Sequence, residues 1–239
     1  GPMTDLAERL DGAARDGVAI PQIVSAAGLD ADAAYAVQEA LVTRRLGRGE
    51  RLVGIKLGLT SRAKMAQVGV DEVIWGRLTD AMAIADGATV DTSGLIHPRI
   101  EPEVAFLLDA SGEAVAVAPA LEVIDSRYAD FTFSLADVIA DNSSAAAFAI
   151  GSWKPLPDGL DNLGVLLEVD GRVAQIGSTA AILGDPRRAL AAARRLAGSP
   201  AEAGWVLLAG AATAAVPLAK GAYVRAVVEG LGTVAVRAS

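Results

Sequence analysis

The sequence predicts an α+β fold, a helical segment over residues 3–50 leading into a β-rich body over residues 51–239 with no composition break between them. Three observations carry this. The first fifty residues repeat apolar positions at three- and four-residue spacing, the period of one helix face. Beyond them, short runs rich in Val, Ile and Leu alternate with turns containing Gly, Pro and Asp, the pattern of strands. Two of those runs, IEPEVAFLL and PALEVI, are apolar on both faces apart from their glutamates, as interior strands of a sheet are.

Taken in order, Gly1-Pro2 before Met3 reads as a protease scar. LAERLDGAARDG and DADAAYAVQEALVTRRLGRGE are helical, with Asp30 placed as N-cap of the second. Arg44, Arg45 and Arg48 gather in its last turn, where the helix dipole favours cations. RLVGIKLGLTS is a strand with Lys56 in its middle. Alone, that residue reads as an edge-strand lysine that discourages aggregation. A short helix opened by Ser61 follows, then a turn at Gly69 and a loop ending at Asp80, which is either a helix cap or a solvated acid. VLLEVDGRVAQIG is a hairpin through Asp170-Gly171. DPRRALAAARRLAG is a helix with Pro186 in its first turn and Arg187, Arg188, Arg194 and Arg195 on a solvated basic face. Residues 205–238 supply three further strands.

The chemistry concentrates between Leu95 and Arg127. Successive side chains of a strand leave opposite faces, so Glu101 and Glu103 share one. Pro102 has no N–H to give a ladder, which places an edge or a bulge beside it. Glu122 sits in a second apolar run able to lie alongside. An unpaired carboxylate in such surroundings costs several kcal/mol, and neighbouring carboxylates repel. A divalent cation among Glu101, Glu103 and Glu122 answers both problems, and an all-oxygen ligand set suits Mg²⁺ or Mn²⁺. The competing reading is the wet face of an antiparallel sheet.

Composition narrows the function. The formal net charge of −8 argues against nucleic acid or an anionic membrane as partner. No apolar run of transmembrane length and no signal peptide appears, and the chain has no cysteine, which points to the cytoplasm. His97 is the sole histidine, so any mechanism needing a histidine pair or a Ser-His-Asp triad has one candidate only.

GIKLGLTSRAKM, WGRLTDAM, HPRIEPEVAFLL, ALEVIDSRY, DVIADNSSAAAFAIG, AAILGDP and LAGAATAAVP occur in this order. Together they resemble the 2-keto-4-pentenoate hydratase / 4-oxalocrotonate decarboxylase group of the fumarylacetoacetate hydrolase superfamily, over nearly the whole chain. The resemblance implies a mixed β-sheet roll and a Mg²⁺ or Mn²⁺ held by Glu101, Glu103 and Glu122. It also promotes Lys56 and Asp80 to catalytic residues. Ser61, Asn142 and Thr213 become substrate-binding candidates on motif match. Without it, Ser61 reads as a helix cap, Asn142 as a turn residue and Thr213 as one more strand residue. Between Leu108 and Ala120 the chain has a shorter connector than the family pattern carries.

The resemblance leaves three reactions. Hydrolysis in this superfamily resembles a His–Glu dyad on a short helix, and no such pair exists in this sequence. Decarboxylation of 2-oxo-3-hexenedioate and hydration of 2-hydroxypenta-2,4-dienoate both need a metal-bound 2-oxo acid. LIHPRIEPE and DSRYADFTFSL look more like the decarboxylase branch. The resemblance further implies a homo-oligomer, or a complex between decarboxylase and hydratase relatives in which this chain is active or serves as a structural partner. A lysine buried beside a metal is expected to have a lowered pKa.

Overall fold

The computed structural model describes residues 1–22, 28–68, 72–130, 134–200 and 202–239. The turn expected at Gly69 and the FTF of DSRYADFTFSL lie outside them. Helices α1 (Pro2–Asp16) and α2 (Ala31–Gly47) form the N-terminal part. Asp30 caps α2 as expected, its carboxylate accepting the Ala33 N–H at 2.9 Å. Next come β1 (Leu52–Gly58), α3 (Arg62–Val68), β2 (Ile74–Thr79), β3 (Ala83–Ile84) and β4 (Thr89–Val90). Then follow β5 (Arg99–Leu108), β6 (Ala114–Ile124), α4 (Leu135–Ala140), β7 (Ala145–Ile150), β8 (Gly164–Val169) and β9 (Arg172–Ser178). The chain ends with α5 (Arg188–Ala197), β10 (Val206–Ala211), β11 (Val216–Pro217), β12 (Tyr223–Val228) and β13 (Gly232–Ala238).

One sheet runs β2-β1-β10-β5-β6-β7-β3, with β11 pairing β5. Its end strands β2 and β3 are separated in sequence only by Asp80–Met82. Such a short link holds both ends together, so the sheet has to curl into a roll. Its concave face is narrow and lined by small or slender residues: Gly54, Gly58, Ala105, Ala118 and Ala120, with Leu208 and Phe148. The convex face carries Ile55, Leu57, Val104, Phe106, Val117 and Leu207, packed against α5. Further along, the same sheet packs Ile100, Leu121 and Val123 against the second sheet, β4-β13-β12-β8-β9. Two-faced burial is why these strands read as continuous apolar runs.

The hairpin at Asp170-Gly171 forms, with both residues at positive φ (51° and 80°), as a type I′ turn requires. Several expectations need correction. Residues 74–79 are a strand, not a loop: IWGRLT gives it too little alternation to stand out, and pairing with β1 decides it. The connector between β5 and β6 is only residues 109–113, because AVAVAP continues the ladder as part of β6. Pro186 precedes α5 rather than sitting inside it. The α5 arginines tie down neighbouring segments: Arg187 donates to the carbonyls of Pro157 and Asp158, Arg188 to that of Leu183, and Arg194 to that of Gly112, while Arg195 pairs with Glu72.

Candidate metal centre and active site

The β5–β6 register sets Glu101 directly opposite Glu122, and Glu103 leaves the same face two residues on. All three are buried, and one oxygen from each lies within 4.8 Å of the others. The bulge expected near Pro102 is present on the neighbouring strand. Between Leu208, opposite Ala105, and Ala211, opposite Glu103, β10 carries an extra residue. The bulge turns the Gly210 N–H off the ladder, and it donates to Glu103 Oε1 at 3.1 Å. Gly210 has φ +128°, and a Cβ there would lie 2.1 Å from Thr60 Oγ1, so only glycine fits.

Lys56 projects from β1 into the same group. β1 lies between β2 and β10, so the edge-strand reading is overturned. The ammonium is buried, donates to the Ser143 carbonyl at 2.7 Å and lies 2.8 Å from Glu122 Oε2. That last contact is an ion pair whose angles depart from those of a hydrogen bond. The Ser143 carbonyl is aimed by a strained turn: Asn142, Ser143 and Ser144 all have positive φ (51°, 50° and 62°). Asn142 locks the turn to β2, accepting the Arg77 N–H at 2.8 Å through Oδ1 and donating to the Arg77 carbonyl at 2.8 Å. A Cβ at Gly76 would lie 2.7 Å from the Asn142 carbonyl, which ties that glycine to the same contact.

Burial pushes Glu103 well above the usual carboxylate range, and the neighbouring Glu122 and Glu101 push it further. Burial likewise raises Glu122, against the pull of Lys56. For Lys56, burial favours the neutral amine, but Glu122, Glu101 and Glu103 outweigh it and hold the pKa above its ordinary value. The lowering expected from the sequence is therefore reversed where the protein's own charges decide. Three carboxylates against one ammonium leave two negative charges if all ionise. Glu103 Oε2 and Glu122 Oε1 are buried with no hydrogen-bond partner. Buried polar atoms are rarely left so, and an oxygen-only pocket of this charge fits a hard divalent cation.

A cavity of about 140 Å³ opens beside the acids, lined by Lys56 and Glu101, by Ser61, Ser143 and Ser144, and by apolar side chains including Ile74, Ile124 and Val138. Ser61 thus reaches the site while also accepting the Lys64 N–H at 3.1 Å through its Oγ. The other nominated residues are placed differently. Asp80 is exposed, accepts the Arg51 N–H at 2.9 Å and takes no part in the cluster. Asn142 is engaged with Arg77 and does not line the cavity. Thr213 sits in a bend between β10 and β11, and its hydroxyl donates to the Ala214 carbonyl at 2.9 Å. Sequence reasoning missed Ser143, Ser144 and Gly210. The DNSS run was the available signal, since Asn tolerates a left-handed backbone.

Known proteins resolve the kinship. A 4-oxalocrotonate decarboxylase from a Pseudomonas species is 48% identical over 242 residues, covering 95% of this chain and 94% of that protein. A 2-keto-4-pentenoate hydratase from Burkholderia vietnamiensis is 39% identical over 225 residues, covering 87% and 86%. The chain belongs to the 4-oxalocrotonate decarboxylase / 2-keto-4-pentenoate hydratase family. No family model matches it. The solved 4-oxalocrotonate decarboxylase from Pseudomonas putida G7, complexed with magnesium and adipate, superposes with a TM-score of 0.93 at 36% identity over 100% of this chain and 97% of that one. The family roll is therefore the fold observed. A fumarylacetoacetate hydrolase family protein from Yersinia pestis shares the fold alone, with a TM-score of 0.58 at 13% identity. Among the described residues no helix is long and apolar enough to cross a membrane.

Proposed function

We propose that this family member catalyses metal-dependent decarboxylation of 2-oxo-3-hexenedioate to 2-hydroxypenta-2,4-dienoate and CO₂. The observation that carries the reading is the buried trio Glu101, Glu103 and Glu122 beside Lys56, in a chain with 48% identity to a decarboxylase. Mg²⁺ or Mn²⁺ on the trio would supply Lewis-acid stabilisation of charge at the 2-oxygen of the substrate. The remaining roles belong to the protein. Lys56, kept charged by the acids around it, directs one N–H to Ser143 and faces Glu122 with another. A third remains for the cavity it lines, to stabilise the developing dienolate and deliver a proton to its oxygen. The Ser61 Oγ proton is free to orient the substrate, because that oxygen already accepts from Lys64. Apolar walls limit water around the dienolate.

In the reaction the C5–C6 bond breaks and C6 leaves as CO₂. The freed electron pair forms C4=C5, the former C3=C4 pair forms C2=C3, and the carbonyl pair moves to the 2-oxygen. No water nucleophile is needed. The test is incubation with 2-oxo-3-hexenedioate and Mg²⁺: CO₂ and a persistent dienol are expected, and EDTA should stop both. Absence of CO₂ with rapid loss of added 2-hydroxypenta-2,4-dienoate would overturn the decarboxylase in favour of the hydratase. The same reading takes the enzyme to be cytoplasmic, which a chain without cysteine suits. It also takes the enzyme to self-associate. The edge strand β9 offers Val173 and Ile176, 53% and 75% exposed, for such a contact, and light scattering checks it.

A further inference from the structure

The cavity beside the acids holds a second cation. Lys64, in the first turn of α3, lines it together with Lys56 and Glu101. The two lysines stand in different circumstances. Lys56 is buried and engaged with Glu122 and the Ser143 carbonyl. Lys64 is half-buried and, among the described residues, enters no ion pair. Its backbone is fixed by the Ser61 cap, while its four-carbon stem leaves the ammonium free to meet a ligand. The other side chains lining the cavity, Glu101 apart, are neutral. A carboxylate entering such a sleeve away from the metal end would be strongly disfavoured without a cation to receive it.

We propose that Lys64 receives the carboxylate remote from the 2-oxo acid end and so selects six-carbon diacids over monoacids. The inference rests on the functional reading above for the direction in which the substrate lies. Lys64 acts on binding rather than on the barrier. As the C5–C6 bond breaks, negative charge leaves that carboxylate for the 2-oxygen and the departing CO₂ is neutral. The ion pair with Lys64 is therefore strongest in the ground state, and an interaction of that kind lowers KM without raising kcat.

Calorimetry on the Mg²⁺-loaded protein with 2-oxoadipate and 2-oxohexanoate tests this apart from turnover. The wild type should bind the diacid roughly tenfold or more tightly than the monoacid, as one charge-assisted contact gives. Lys64→Met should erase that preference and leave 2-oxohexanoate affinity unchanged, which also certifies its fold, while Lys64→Arg should keep it. In kinetics with 2-oxo-3-hexenedioate, Lys64→Met should raise KM about tenfold with kcat no lower. A preference that survives in Lys64→Met overturns the proposal. So does one that is lost instead in Arg62→Met, on the neighbouring cavity beyond Thr60 and Ser61. If the preference vanishes in Lys64→Met but no CO₂ is formed by the wild type, Lys64 stands and the reaction assignment falls. If CO₂ forms and the preference persists, the reverse holds.

Discussion

Replacing Glu103 by glutamine should move apo stability and metal response in opposite directions. Glu103 Oε1 accepts the Gly210 N–H, and a glutamine carbonyl keeps that bond. Oε2 has no partner, and the oxygens of Glu122 in the same cluster lack hydrogen-bond donors. A glutamine NH₂ there replaces the acid whose charged form burial and its neighbours most disfavour, and offers Glu122 a permanent donor. Relieving one unsatisfied buried group is worth about 1–3 kcal/mol. At about 2–4 °C per kcal/mol for a chain of this size, the variant in EDTA should melt roughly 2–12 °C above the wild type. Mg²⁺ at a hundredfold excess over its Kd should stabilise the wild type by about 2.7 kcal/mol, or roughly 5–11 °C, and the variant hardly at all. Scanning calorimetry with EDTA and with Mg²⁺ gives all four melting temperatures. If Glu103→Gln melts lower in EDTA and Mg²⁺ raises both proteins equally, the acids are a self-sufficient structural network and Glu103 holds no metal.

Three further outcomes follow from the same geometry. Gly210→Ala places a Cβ 2.1 Å from Thr60 Oγ1 at φ +128° and should cost about 2–4 kcal/mol in urea unfolding, with weakened Mg²⁺ binding because the Glu103 support moves. Burial raises Asp141 to about 7, against the pull of the Arg127 guanidinium at 3.5 Å and of the Arg127 N–H that it accepts at 2.9 Å. A folded-state pKa above the unfolded value of 3.8 contributes stability at low pH that is lost as pH rises toward 7; denaturation in EDTA should show a fall across that window to which Asp141 contributes up to about 4 kcal/mol, with Glu103 and Glu122 adding to it, and Asp141→Asn should remove the Asp141 share while the rest persists. Asp80→Ala should leave kcat and KM within about twofold of wild type, since the residue bridges to Arg51 at the surface; a loss beyond about tenfold would return Asp80 to the site.

What the sequence determined by itself is what the backbone decides locally. Asp30 caps its helix, Asp170-Gly171 turns its hairpin, and Glu101 and Glu103 share a face, because a cap, a type I′ turn and the strand's period of two involve only a few consecutive residues. The carboxylates stood out because acids in apolar strands are costly wherever the strands end up. The tertiary structure decided everything that depends on which strands pair. It set Glu122 opposite Glu101, brought Lys56 to them through the parallel pairing of β1 with β10, and pointed a carbonyl at it from the left-handed Ser143. It also removed Asp80 to the surface and engaged Asn142 with β2, although both lie in the quoted motifs. Pairing partners are chosen by burial and hydrogen bonding summed over segments far apart in the chain, so local spacing does not encode them. A motif placed Lys56 near the chemistry; only the roll's closure showed that the same cavity also holds Lys64.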